Sequence, residues 1–213
     1  LGRTRRHPPS HRIARAYEKI GFLPIALVIL LAALALFVPR FLTLQNVFNV
    51  LRSSSYLVVL SAGQMLVLIV GGFDLSVGAV VALASVTSAL AMVWAKGLLP
   101  DQTALIVALG LFAGLGSGLL VGLVNGLSVA FLRVSPFIVT LGTMSIATGF
   151  ALLLTNGIPV YGMPKAYVDG FGRGLWLELP TAVYLAVAVV ALVWFMQNYT
   201  RMGRYLYAIG GNL

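Results

Sequence analysis

Chemistry at a protein site needs groups that donate, accept or hold charge, and this chain supplies few of them. It has five acidic residues, two histidines and no cysteine among 213 residues. Both histidines, His7 and His11, lie in a basic N-terminal stretch, and apart from Asp74 no carboxylate, histidine or lysine falls inside a predicted apolar segment. No histidine–carboxylate cluster, metal-ligand spacing or activated nucleophile can be assembled from this set. The Gly-rich phosphate loop ending in Gly-Lys-Ser/Thr is missing as well. Lack of cysteine removes thiol catalysis, disulfides and cysteine-rich metal sites together. The chain reads as a non-enzyme without a cofactor. Proton- and sodium-coupled carriers usually place ionisable or coordinating groups at membrane depth, so uphill transport by this chain would draw on an external energy source.

Three groups of residues remain. The first is Gly71-Gly72-Phe73-Asp74-Leu75-Ser76-Val77-Gly78. Its paired glycines release the backbone from helix, and Asp74 is spaced to cap a following helix by accepting from the amide of Ser76 or Val77. The other reading places Asp74 in a broken-helix site beside a translocation path. The second group is a ladder at four-residue intervals, Gly110, Gly114, Gly118, Gly122 and Gly126. Glycine at this spacing lets a neighbouring helix approach backbone to backbone; the alternative is a surface that slides during a transport cycle. The third is a set of hydroxyls, Ser85 and Ser88, then Thr140, Thr143, Ser145 and Thr148. They either face a path for a neutral polyhydroxy solute or bond back to their own helices and glue them together.

The elements that position these residues follow from composition. Hydrophobic residues make up 60% of the chain and charged residues 9%, against roughly 45–50% and 25% in soluble domains. Several apolar runs reach the roughly 20 residues that a helix needs to cross a core about 30 Å thick, and period-two alternation is absent. An all-α polytopic transmembrane bundle follows, because backbone polar groups in lipid must bond within a helix or a closed barrel. Six spans are expected, at about residues 22–38, 54–70, 75–95, 103–132, 136–154 and 180–197. Residues 41–52 read as an amphipathic stretch lying at the interface, and residues 155–179, rich in glycine and proline, as a loop outside the membrane. The apolar run continues past Ala33-Leu34-Ala35, which favours an uncleaved first span over a leader peptide.

Net charge is +9. With the N-terminus inside, nine basic residues fall on the inner side (Arg3, Arg5, Arg6, Arg12, Arg15, Lys19, Arg133, Arg201, Arg204) and five on the outer side (Arg40, Arg52, Lys96, Lys165, Arg173), as the positive-inside rule requires. The parts are then a basic cytoplasmic tail (1–21), a membrane domain (22–197) and the start of a cytoplasmic segment (198–213). No basic patch with interleaved aromatics is present, so nucleic acid is not an expected partner.

An ordered series of motifs resembles the permease subunits of ribose-type (simple sugar) ABC importers. It runs through Phe41-Leu42-Thr43 with Asn46 and Asn49, then GGFDLSVG at 71–78, Asn125-Gly126, and Arg133-Val134-Ser135-Pro136-Phe137-Ile138 leading into Thr140-Leu141-Gly142. Thr155-Asn156-Gly157-Ile158-Pro159-Val160 follows, and the series closes on residues 203–212, GRYLYAIGGN. The resemblance implies import of a monosaccharide or similar small sugar across the bacterial inner membrane. It also implies a second permease subunit, identical or not, a cytoplasmic ATP-binding subunit that hydrolyses the ATP, and a periplasmic or lipid-anchored sugar-binding protein. By the same likeness, Arg201, Gly203, Arg204, Gly210, Gly211 and Asn212 belong to the segment that couples to the ATPase. A chain without an initiator Met that stops at Leu213 is expected to be an N-terminal fragment of such a permease. The rival reading from residues alone is a secondary carrier or channel for a small polar solute.

Overall fold

The computed structural model describes residues 22–211; the basic tail and Asn212 lie outside them. Among the described residues α1 (Phe22–Phe37), α2 (Leu44–Ile69), α3 (Val77–Leu98), α4 (Thr103–Leu132) and α5 (Pro136–Thr155) follow in order. Next come one helical turn, α6 (Lys165–Tyr167), a π turn (Val168–Gly172) and a hairpin of β1 (Leu175–Trp176) and β2 (Leu179–Pro180). Two further helices, α7 (Thr181–Tyr199) and α8 (Arg201–Gly210), complete the order. Two compact units divide at Val50 and Leu51.

Helices α2, α3, α4, α5 and α7 are long and apolar enough to cross a membrane. The first expected span is a shorter apolar helix of 16 residues, about 24 Å at 1.5 Å per residue. The polytopic helical bundle is therefore present, with five helices of spanning length and one shorter apolar helix among the described residues. Helix α4 runs unbroken for 30 residues, about 45 Å and longer than the hydrocarbon core.

The structure corrects two expectations. Residues 41–52 do not form a separate interfacial stretch, because the helix that starts at Leu44 continues through them to Ile69. Thr43 caps its start, its Oγ1 donating to the Arg40 carbonyl at 2.8 Å and accepting from the Asn46 amide at 3.4 Å. Nothing then breaks the helix, since Ser55 satisfies its hydroxyl by donating to the Leu51 carbonyl at 2.7 Å. Nor is the segment 155–179 featureless. It holds α6, the π turn and most of the hairpin, and Trp176 makes an edge contact with Tyr184 at 4.9 Å between ring centroids.

In the second unit α3 is the centre, packed against α4 and α5. Ala79, Leu83, Ala147 and Ala151 form one buried cluster, and Met92, Ala95 and Ile106 another. Small side chains dominate these contacts because lipid gives helices no hydrophobic drive to associate, so close approach must supply the attraction. Large side chains point away, with Phe112, Leu115 and Leu119 of α4 each more than 70% exposed, as suits a lipid-facing surface. At one end of this unit the Arg52 guanidinium donates to the Arg173 carbonyl at 3.2 Å, and the Lys96 ammonium donates to the Gly162 carbonyl at 3.0 Å. Both bonds tie helices to the segment between α5 and α7.

Candidate functional site

The break between α2 and α3 is built from its glycines upward. Gly71 adopts φ 77°, and Gly72 and Gly71 donate back to the carbonyls of Val67 and Leu68, both at 3.0 Å. This pair of bonds is a Schellman cap, which favours glycine at the left-handed position. The chain turns at once into α3. Asp74 Oδ1 accepts from the Ser76 amide at 2.7 Å and from the Ser76 hydroxyl at 2.6 Å. Asp74 therefore acts two residues ahead of the helix, as an Asx turn that presents Ser76 as the formal cap. The Ser76 carbonyl accepts from Val80 at 2.9 Å and closes the first turn. Gly78 has open space where a side chain would be.

Three long-range bonds lock this break, one of them donated by Thr140 Oγ1 to the Phe73 carbonyl at 3.4 Å. The Asn125 amide of α4 donates to Ser76 Oγ at 2.9 Å, and the Leu75 amide donates to Thr140 Oγ1 of α5 at 3.1 Å. Ser76, Asn125 and Thr140 are all buried. A polar chain therefore runs Asn125 to Ser76 to Asp74, with Thr140 holding the neighbouring amide. Asn125 Oδ1 has no partner. Asn125 stands in the motif series without this role, and for Thr140 the two readings are a solute path or a bond holding helices together; the Leu75 bond is of the second kind. An asparagine within an apolar helix is costly unless bonded, and that cost was the available signal.

The five-glycine ladder divides in two. A Cβ at Gly110 would collide with the Met92 side chain and lie 2.9 Å from the Ser88 carbonyl, and one at Gly114 would lie 2.9 Å from the Ala84 carbonyl. At Gly118 the nearest atom is a Val80 methyl at an ordinary 3.6 Å, and Gly122 and Gly126 meet nothing within 4 Å. Close packing on α3 thus belongs to the first two glycines. The expectation that all five glycines share one close-packed face is met at Gly110 and Gly114 alone.

The hydroxyls do not share one path. Ser88 is buried beside Gly114, in the α3–α4 contact, and Thr140 is used in the junction. Thr143 and Ser145 donate back to the carbonyls of Thr140 and Leu141, both at 3.2 Å. Thr148 is exposed on α5, and Ser85 lines a separate cleft beside α5. A polar pair absent from the sequence reading, Thr87 and Ser117, bridges α3 and α4 at 2.9 Å.

The segment 201–210 forms the helix α8. Thr200 turns the chain, donating to the Met196 carbonyl at 2.6 Å and accepting from the Gly203 amide at 3.3 Å. Gly203 is buried against the Gln197 backbone, and half-buried Gly210 lies against the carbonyl of Ile69; at both a Cβ has no room. Arg201 and Arg204 are exposed, as are Gly211 and the apolar side chains of Met202, Tyr205 and Ile209. The end of α8 therefore sits on the last turn of α2, immediately before the Gly71 cap.

Five helices long and apolar enough to cross a membrane, joined at a hydrogen-bonded break between α2 and α3, define a multi-pass membrane protein. Residues 46–213 match the family described as branched-chain amino acid transport system / permease component, and the chain belongs to that family. It is 36% identical over 191 residues to the ribose import permease protein RbsC of Escherichia coli, covering 88% of this chain and 57% of that protein. It is 35% identical to the galactose/methyl galactoside import permease protein MglC of Escherichia coli, covering 92% of this chain and 61% of that protein. The D-allose transport system permease protein AlsC of Escherichia coli is 32% identical, with 92% and 57% covered. The chain spans about three-fifths of the length of these relatives. No solved structure matches it.

Proposed function

We propose that this chain is part of the membrane-spanning subunit of an ATP-binding-cassette importer that moves a monosaccharide across the bacterial inner membrane. The observation that carries the reading is the similarity, over most of the chain, to permeases named for ribose, galactose and allose import. The scarcity of ionisable groups along the spans agrees with it: Arg52 and Lys96 donate to backbone carbonyls, and both observed bonds of the Asp74 carboxylate go to Ser76. On this reading a cytoplasmic subunit hydrolyses ATP, a binding protein delivers sugar on the opposite face, and two permease subunits form the path. Helix α8 receives the ATPase's motion. Gly210 passes it to the end of α2, and the bonded break transmits it to α3, α4 and α5. Alternating access then follows from two states of the pair that the partner's nucleotide favours differently.

The test is the full-length permease reconstituted with its ATPase and binding protein in proteoliposomes. Sugar-loaded binding protein is expected to stimulate ATP hydrolysis. Uptake that proceeds without the ATPase and collapses with an ion gradient would instead identify a secondary carrier.

A further inference from the structure

Helices α3 and α5 touch at Ala79, Leu83, Ala147 and Ala151 and leave a cleft of about 590 Å³ toward the end that carries Lys96. One wall is the α3 face of Ala82, Ser85 and Ala89, and the other holds Ala151 and Thr155 of α5. The segment from Gly157 to Tyr167 borders it as well. This segment is pinned independently. The Lys96 ammonium holds the Gly162 carbonyl at 3.0 Å, and Met163 and Tyr167 pack on the buried Met92, Ala95 and Ile106.

Three properties define what such a cleft can hold. Its volume falls in the range of roughly 300–1,000 Å³ typical of small-molecule sites. No charged side chain lines it, so a charged solute would lose its hydration without compensation. Its polar side-chain groups are hydroxyls. The hydroxyl of Ser85 bonds to nothing among the described residues, whereas Ser55, Thr87 and Thr155 return theirs to carbonyls of their own helices. Exposed Thr148 of α5 is likewise unbonded among the described residues, so it is the position of Ser85 in the wall of the cleft that makes its capacity relevant. Small apolar walls, free hydroxyl capacity and the face of Tyr167 suit the alternating C–H and O–H surfaces of a sugar ring. A few neutral hydrogen bonds are also weak enough to release it.

We propose that this cleft is an outer holding site for one neutral, polyhydroxylated solute of monosaccharide size, contacted by Ser85, Thr155 and Tyr167. The proposal rests on the import reading for its solute class, but its test is separable. Because the sequence contains no cysteine, Ser85→Cys in the full-length permease places one thiol in the cleft. Thr155→Cys does the same from the other wall if the first variant fails to assemble. Each is labelled from outside with a membrane-impermeant maleimide, with and without D-ribose, D-galactose or D-allose, and with a hexuronate as the charged control. At about ten times its Kd the bound sugar should slow labelling about tenfold, and the hexuronate should not.

Equal labelling rates with and without a sugar that the wild type imports overturn the holding site and leave the import reading intact. Protection by sugar in a protein that does not import leaves the site standing and removes the import reading. If both protection and import are absent, both fall. Labelling that is blocked without sugar and restored by detergent assigns the cleft to a lipid chain and overturns the proposal. Ala82→Trp, which fills the cleft from α3, should abolish uptake while the complex still assembles; normal uptake in that variant also contradicts the proposal.

Discussion

Asp74 and Ser76 are two residues apart, and both observed bonds of the Asp74 carboxylate return to Ser76. Its local role was legible from spacing, because an Asx turn depends only on neighbours in the chain. Asp74→Ala should lower stability by about 0.5–2 kcal/mol, as for loss of a helix cap. Thermal unfolding of the purified permease checks this. Complete loss of transport in a stably assembled variant would show a mechanistic role beyond capping. The contributions of Asn125 and Thr140 were not legible, since 49 and 65 residues separate them from their partners at Ser76 and Leu75. Thr140→Val keeps the shape but strips the Leu75 amide of its partner. A loss of about 1–3 kcal/mol is expected, the cost of an unsatisfied buried donor. Unchanged unfolding would mean that the amide finds another acceptor.

Helices were the most legible elements, because apolar runs of sufficient length leave little choice of structure in lipid. Their joins were less so. Residues 41–52 look amphipathic when read alone, yet no glycine or proline separates them from the apolar run, and from Leu44 one helix results. The glycine ladder shows why spacing is incomplete information: four-residue periodicity identifies a flat face, whereas the angle at which α3 crosses α4 decides how far that face is covered. Gly114→Leu should therefore weaken the α3–α4 contact by at least the 1–3 kcal/mol of an overpacked core, with Gly126→Leu near neutral for folding of the isolated subunit. Comparing the unfolding of the two variants checks this, and equal losses would contradict the packing described here. At the other contact, Gly210→Val would force α8 away from the Ile69 carbonyl. If α8 receives the ATPase's motion, the assembled variant should hydrolyse ATP with little accompanying uptake. Uptake per ATP equal to wild type would count against that role.

At the scale of the whole molecule, many large apolar side chains are exposed, and polar side chains are few and mostly bonded to backbone carbonyls, as at Ser55, Thr143 and Thr155. That arrangement was legible as a membrane bundle from composition, and the motif series made the permease family legible too. What remained hidden was convergence, because hydroxyls that looked like one path lie in the α3–α4 contact, in the junction and beside a separate cleft. Import driven by ATP, as proposed above, needs no ionisable relay within the spans, and none is present among the described residues. The most direct measurement is sugar uptake into proteoliposomes that contain the full-length permease, its ATPase and the binding protein, with ATP supplied on the ATPase face. Uptake should require that ATP and survive collapse of proton and sodium gradients. Uptake that persists without ATP, or disappears with the gradients while ATP is present, would contradict the account.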